Sequence, residues 1–151
     1  MSLETALFAL VDEVGRLNGR FKSAFVDARK GVGLGETEMT VLNSVVEADR
    51  PPTVPQIARS LGIARQLVQR AASSLIERGL ITTAHNPDHK RALLLVAQPA
   101  GGAAKRQADV IGSRIVARLG SGLDLASVER AARELRSIRR ALEACLKQID
   151  R

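Results

Sequence analysis

Arg65, Gln66, Gln69, Arg70 and Ser73 are spaced so that on a helix they project together, and no acidic residue interrupts the run. In the major groove of duplex DNA an Arg can bond bidentately to guanine and a Gln to adenine, each good pair discriminating by roughly 1 to 3 kcal/mol. His89, Lys90 and Arg91 form a second basic group, directly after the turn residues Asn86-Pro87-Asp88. A cationic hairpin tip of this kind can follow a phosphate backbone or enter a narrow minor groove, where the negative potential favours it. Thr53 and Arg59, just upstream, are further candidates for contacts to phosphate.

The charge of the whole chain is concentrated around these residues. The 151 residues include 23 Lys and Arg against 16 Asp and Glu, a net charge of +7. Residues 1–49 are net −3 and residues 107–151 net +3, whereas residues 50–106 hold nine basic side chains against only Glu77 and Asp88. Such segregation implies an anionic partner: nucleic acid, an acidic protein or an anionic membrane surface. The aromatic content narrows this list. There is no Trp or Tyr, and the three Phe lie at positions 8, 21 and 25. Readers of single strands stack bases on aromatic faces, so duplex DNA ranks above single-stranded nucleic acid.

The elements that must hold these groups are legible in the apolar spacing. Length fits one domain, and an apolar content of 45% with 26% charged residues supports a core. From Leu3 the apolar residues Leu7, Leu10, Val14, Leu17, Phe21, Ala24 and Ala28 recur at steps of four and three, which predicts a long helix with a seam. Val128, Ala131, Leu135, Ile138, Leu142, Cys145 and Ile149 predict a second seam, after a break at Gly120-Ser121-Gly122 and an N-cap at Asp124. Two such stripes exceed what a central unit of this size needs to cover itself. They read as a homodimer interface, with Leu7, Leu10, Val14, Leu17, Leu135, Ile138, Leu142 and Ile149 as its residues.

Between the seams, residues 36–48 predict a short helix burying Met39, Leu42, Val45 and Val46. Thr53-Val54-Pro55-Gln56 has the form of a capping box that opens a helix burying Ile57, Ala58 and Leu61 and closing at Gly62. After Ile63 and Ala64 another helix runs to Arg78, with Leu67, Val68, Ala71, Ala72, Leu75 and Ile76 expected inside. Helix, tight Gly turn, helix is the helix-turn-helix arrangement. Residues 80–83 and 92–96 then predict a β-hairpin with the basic tip, and Pro99 begins another helix.

The runs Leu34 to Leu42, Gln56 to Ile63, Leu75-Ile76-Glu77-Arg78-Gly79-Leu80-Ile81 and Asn86 to Ala92 resemble, in order and spacing, the MarR family of bacterial transcription regulators. The resemblance implies a mainly α fold with a small β-hairpin wing: a winged helix-turn-helix over residues 34–98, and helical dimerisation regions at 1–33 and 99–151. It also implies the second helix in the major groove, the wing in the minor groove, and, as in many members, release of DNA by a small aromatic or phenolic effector or by cysteine oxidation; a two-fold repressor of this kind would read a pseudo-palindromic operator. Five residues at three sites depart from the family pattern. Ala64 stands where the family has a capping Ser, His89-Lys90 replace the Asp-Arg of an Asp-Arg-Arg wing, and Ala97-Gln98 replace Leu-Thr, leaving Pro99 and Gly101 of that motif.

Other chemistries find little support in the sequence. His85 and His89 straddle a turn with no carboxylate or thiol to complete a metal set, so neither a metal nor another cofactor is implied. Cys145 falls on an apolar seam, where a Cys acts as a small hydrophobe. No nucleophile, base and orienting group are arranged for catalysis, so no enzyme is expected. The single Cys, the absence of a basic leader with an apolar run, and the absence of ~20 uninterrupted apolar residues lead to the expectation of a cytoplasmic protein without membrane attachment. The rival to DNA binding is a winged-helix module that docks an acidic protein.

Overall fold

A computed structural model describes residues 1–149; Asp150 and Arg151, at the end of the region assigned to dimerisation, lie outside the described residues. Two compact units divide the chain, residues 1–113 and 114–151. The first holds α1 (Leu3–Ala24), α2 (Val26–Gly31), α3 (Glu36–Val46), α4 (Val54–Leu61), α5 (Arg65–Glu77), β1 (Ile81–Ala84), β2 (Leu94–Ala97) and most of α6 (Pro99–Leu119). The second holds the end of α6, a 3₁₀ turn at Gly120–Gly122 and α7 (Leu125–Ile149). The fold is mainly helical with one antiparallel hairpin, as expected.

The predicted first helix is interrupted. Phe25 leaves helical geometry at φ −95° and ψ 10°, so α1 ends at Ala24 and a short α2 follows. The break lets Ala28 reach the core and lays the Phe25 ring near Gly112 of α6, where an added Cβ would lie 3.6 Å from the ring. Periodicity could not reveal this turn, because the apolar steps run through it unchanged.

The core of the first unit is a three-helix cluster closed by the hairpin. Leu42, Val41, Val68, Ala72, Leu75 and Ile81 are almost wholly buried, with Met39, Val45, Val54, Ile57, Ala58 and Leu95 around them. Leu67 and Ile76 are corrections: both are exposed. The α5 stripe is centred on Val68, Ala71, Ala72 and Leu75, and at 100° per residue Leu67 and Ile76 fall about 90° to either side of that centre. The hairpin is also shifted from its predicted bounds, pairing Ile81 with Ala97 and Ala84 with Leu94. Leu80 is held in the turn after Gly79, where its N–H donates to Leu75 O at 2.9 Å, and Ala92 donates instead to His89 O.

Local chemistry sets the two central helices. Thr53 Oγ1 accepts from the Gln56 N–H while Gln56 Oε1 accepts from the Thr53 N–H, and Gly62 closes α4 in the left-handed conformation at φ +65°. This capping box leaves Thr53 only 5% exposed with its hydroxyl bonded to Gln56, so the side chain expected to contact phosphate also serves the helix start.

A polar tie fixes the far end of α5. Ser74 Oγ donates to Glu38 Oε1, Gly35 N–H donates to Glu38 Oε2 at 2.7 Å, and Arg78 reaches both Glu38 and the Gly33 carbonyl. The Ser74 hydroxyl, then the Gly35 amide, and more weakly the Arg78 charge hold the Glu38 carboxyl below the usual glutamate range. Its stabilising contribution is therefore present above the unfolded-state value and is lost as pH falls through the lowered native one. Ser74→Ala removes the largest cause, so its penalty in melting temperature should be evident at neutral pH and shrink in the acid range. A penalty independent of pH would remove Glu38 from the account.

Apolar residues line α1 and α7 without becoming buried. On α1, Leu7, Val14 and Leu17 are exposed and Leu10 is half-buried; on α7, Leu135 and Ile138 are half-buried while Leu142 and Ile149 are exposed. Cys145 is exposed on α7.

Candidate nucleic-acid interface

The outward half of α5 carries Arg65, Gln66, Gln69, Arg70 and Ser73, all exposed. Its interior half is apolar and buried, so packing of Val68, Ala72 and Leu75 dictates which way the polar half must point. Ala64 provides no side-chain cap at the start of α5, which leaves first-turn amides to solvent or to an anion.

The hairpin tip is a loop ordered by its own hydrogen bonds. Asn86 is buried and its Oδ1 accepts from the Asp88 N–H at 3.0 Å, while the His89 N–H donates to Asn86 O. His89 Nδ1 accepts from the Arg91 N–H at 3.3 Å. The imidazole thus holds the Arg91 backbone at the position where the family pattern has a carboxylate. His89, Lys90 and Arg91 are all exposed.

The structure brings part of the predicted set into one groove. A concavity of about 840 Å³ lies between the start of α4, the start of α5 and the hairpin loop, and Arg50, Thr53, Arg59, Arg65, His89 and Arg91 line it with Asp88 as the opposing charge. Lys90 and the α5 residues Gln66, Gln69, Arg70 and Ser73 lie outside that groove. Arg50 lies outside the helix and hairpin motifs that mark the other site residues in the sequence. It reaches the groove because Leu95 N–H donates to Pro52 O at 2.8 Å and Thr53 bridges Leu94, so the segment after Arg50 runs along the free edge of β2. The Pro51-Pro52 pair marks an extended segment, but nothing local reveals its partner.

The basic residues of the middle third divide by role. Arg78 pairs with Glu38, and Lys105 pairs with Glu47 at 2.9 Å and Asp109 at 2.7 Å, fastening α6 to the end of α3. Those two cations serve the fold. Among the described residues, Arg50, Arg59, Arg65, Arg70, Lys90 and Arg91 make no salt bridge. Unneutralised cations on one lobe, beside a helix face of amides and guanidinium groups, suit a polyanion with readable edges. The described residues contain no cluster of His, Cys, Asp and Glu able to hold a metal ion. No described helix is long and apolar enough to cross a membrane.

The sequence pattern that defines the MarR family matches residues 32–92, which span α3 to the hairpin loop. The uncharacterized protein Rv2011c of Mycobacterium tuberculosis is 38% identical over 140 residues, covering 89% of this chain and 93% of that protein. The chain belongs to the MarR family. Its fold is that of the MarR transcription regulators. CouR of Rhodococcus jostii RHA1, solved bound to p-coumaroyl-CoA, superposes with a TM-score of 0.73 at 22% identity, covering 83% of this chain and 87% of CouR. BpsR of Bordetella bronchiseptica, whose DNA binding is regulated by 6-hydroxynicotinic acid, superposes with a TM-score of 0.71 at 19% identity, covering 85% of this chain and 91% of BpsR. In MarR terms, α5 is the recognition helix and the β1–β2 hairpin is the wing.

Proposed function

We propose that this MarR-family chain is a homodimeric, cytoplasmic repressor that reads a pseudo-palindromic duplex and is released by a small aromatic or phenolic ligand, with no catalytic step. The observation that carries DNA reading is the joint exposure of the α5 face and the arginine-lined groove, with so many cations left without a carboxylate. Arg65, Gln66, Gln69, Arg70 and Ser73 read base edges. Arg50, Arg59, Lys90 and Arg91, with His89 shaping the loop, hold phosphates and the adjacent minor groove.

The exposed apolar residues of α1 and of α7 support the homodimer, because long unpartnered stripes are costly in water. A two-fold pair would set recognition helices one turn of DNA apart, ~34 Å. The hydroxylated aromatic groups handled by CouR and BpsR support the choice of effector.

Selection from random duplex DNA, with sizing in solution, tests the reading. The expected outcome is a dimer at micromolar concentration that enriches an inverted repeat, with affinity falling steeply as salt rises. A monomer that enriches no sequence, and that retains an acidic protein partner after nuclease treatment, would hand the case to the protein-docking rival.

A further inference from the structure

The first two turns of α5 contain one exposed apolar side chain. Leu67, third in the helix, is 46% exposed, whereas Val68 and Ala71 beside it are buried. It stands three residues before Arg70 and so neighbours it on the helix surface. A lone exposed leucine is ordinary on protein surfaces. What distinguishes Leu67 is its setting, in the turns that carry Arg65, Gln66, Gln69 and Arg70, none of which offers an apolar tip.

We propose that Leu67 is a specificity determinant that packs against the C5 methyl of a thymine in the major groove. The inference rests on the DNA-reading function proposed above and deepens it. Arg and Gln suit guanine and adenine, but neither recognises a thymine by the group that sets it apart. An aliphatic side chain does, because water leaves both the methyl and the leucine when they meet. The same contact disfavours cytosine, whose exocyclic amine would face a side chain with no acceptor.

Deoxyuridine supplies the test, since it pairs as thymidine does and lacks only the methyl. Each thymine of a duplex selected by the wild-type protein is replaced singly by uracil, and wild type and Leu67→Ala are titrated on every duplex. One position per half-site should weaken wild type by about fourfold, the effect of uncovering roughly one methyl-sized group. Leu67→Ala should lose a similar factor on the thymine duplex and bind thymine and uracil equally at that position. Wild type indifferent to every replacement, or a uracil penalty that persists in Leu67→Ala, would overturn the role of Leu67 while leaving DNA reading intact. If no duplex can be selected at all, both fall together. The wild-type arm needs no folded variant.

Discussion

Arg70→Ala is expected to weaken binding to a duplex selected by the wild-type protein by roughly 5- to 150-fold per half-site, and to flatten preference at one base pair. Arg70 projects from the outward half of α5, outside the groove and without an ion pair among the described residues, so its donors are free for a base edge. Losing it removes both hydrogen bonds of a bidentate pair and leaves the groups on a guanine without protein donors. Arg91→Ala is expected to behave differently. Arg91 lines the groove at the wing, where phosphate or minor-groove contact carries little sequence information. Its removal should weaken all duplexes to a similar extent and reduce the slope of log affinity against log salt by about one per protomer. Titrations at several salt concentrations, on the selected duplex and on scrambled ones, separate the two. Equal, sequence-independent losses from both variants would contradict the division into reading and holding.

The placement of these side chains was largely visible in the sequence because it rests on local rules. The Thr53 and Gln56 capping box and the left-handed Gly62 each involve neighbours in the chain, so residue identity alone fixes the helix-turn-helix corner. What escaped depends on partners distant in sequence. The type of Thr53 suits a phosphate contact, but residue type does not show that the same hydroxyl caps α4 and that Leu94 of β2 pairs beside it in the groove wall. Arg50 enters the groove only because Pro52 accepts from Leu95, more than forty positions onward. Periodicity marks a stripe but not its width, so it predicts Leu67 inside. The width is set by how closely α3 and α4 approach α5, and they leave that flank open. The seam residues of α1 and α7 follow the same logic from the other side, since their apolar spacing is legible but does not say which surface covers them.

Gly101→Ala is expected to destabilise the fold strongly, against its local propensity. In a helix the change from Gly to Ala is favourable by about 1 kcal/mol. Here the added Cβ would run into the backbone carbonyl of Leu80 and crowd Leu42 Cδ1, 3.2 Å away. The Leu80 carbonyl cannot step aside cheaply. It accepts from the Gln98 N–H at 3.0 Å, its own residue donates to Leu75 O at 2.9 Å, and Gly79 before it holds φ +68°. Relief must come from moving the first turn of α6 off the winged lobe, and overpacking of a well-filled site typically costs about 1 to 3 kcal/mol. With a backbone atom as the obstacle the upper end applies, and for a chain of this size that corresponds to a fall in Tm of roughly 5 to 10 °C. Gly102 is the internal control. A Cβ there meets Arg106 Nη1 at 3.3 Å, the end of a flexible side chain, so Gly102→Ala should keep or raise Tm. Thermal unfolding of the two variants side by side decides the matter. Equal melting temperatures would mean that α6 is not seated against Leu80 as described, and with it the anchoring of the wing to the helix that follows.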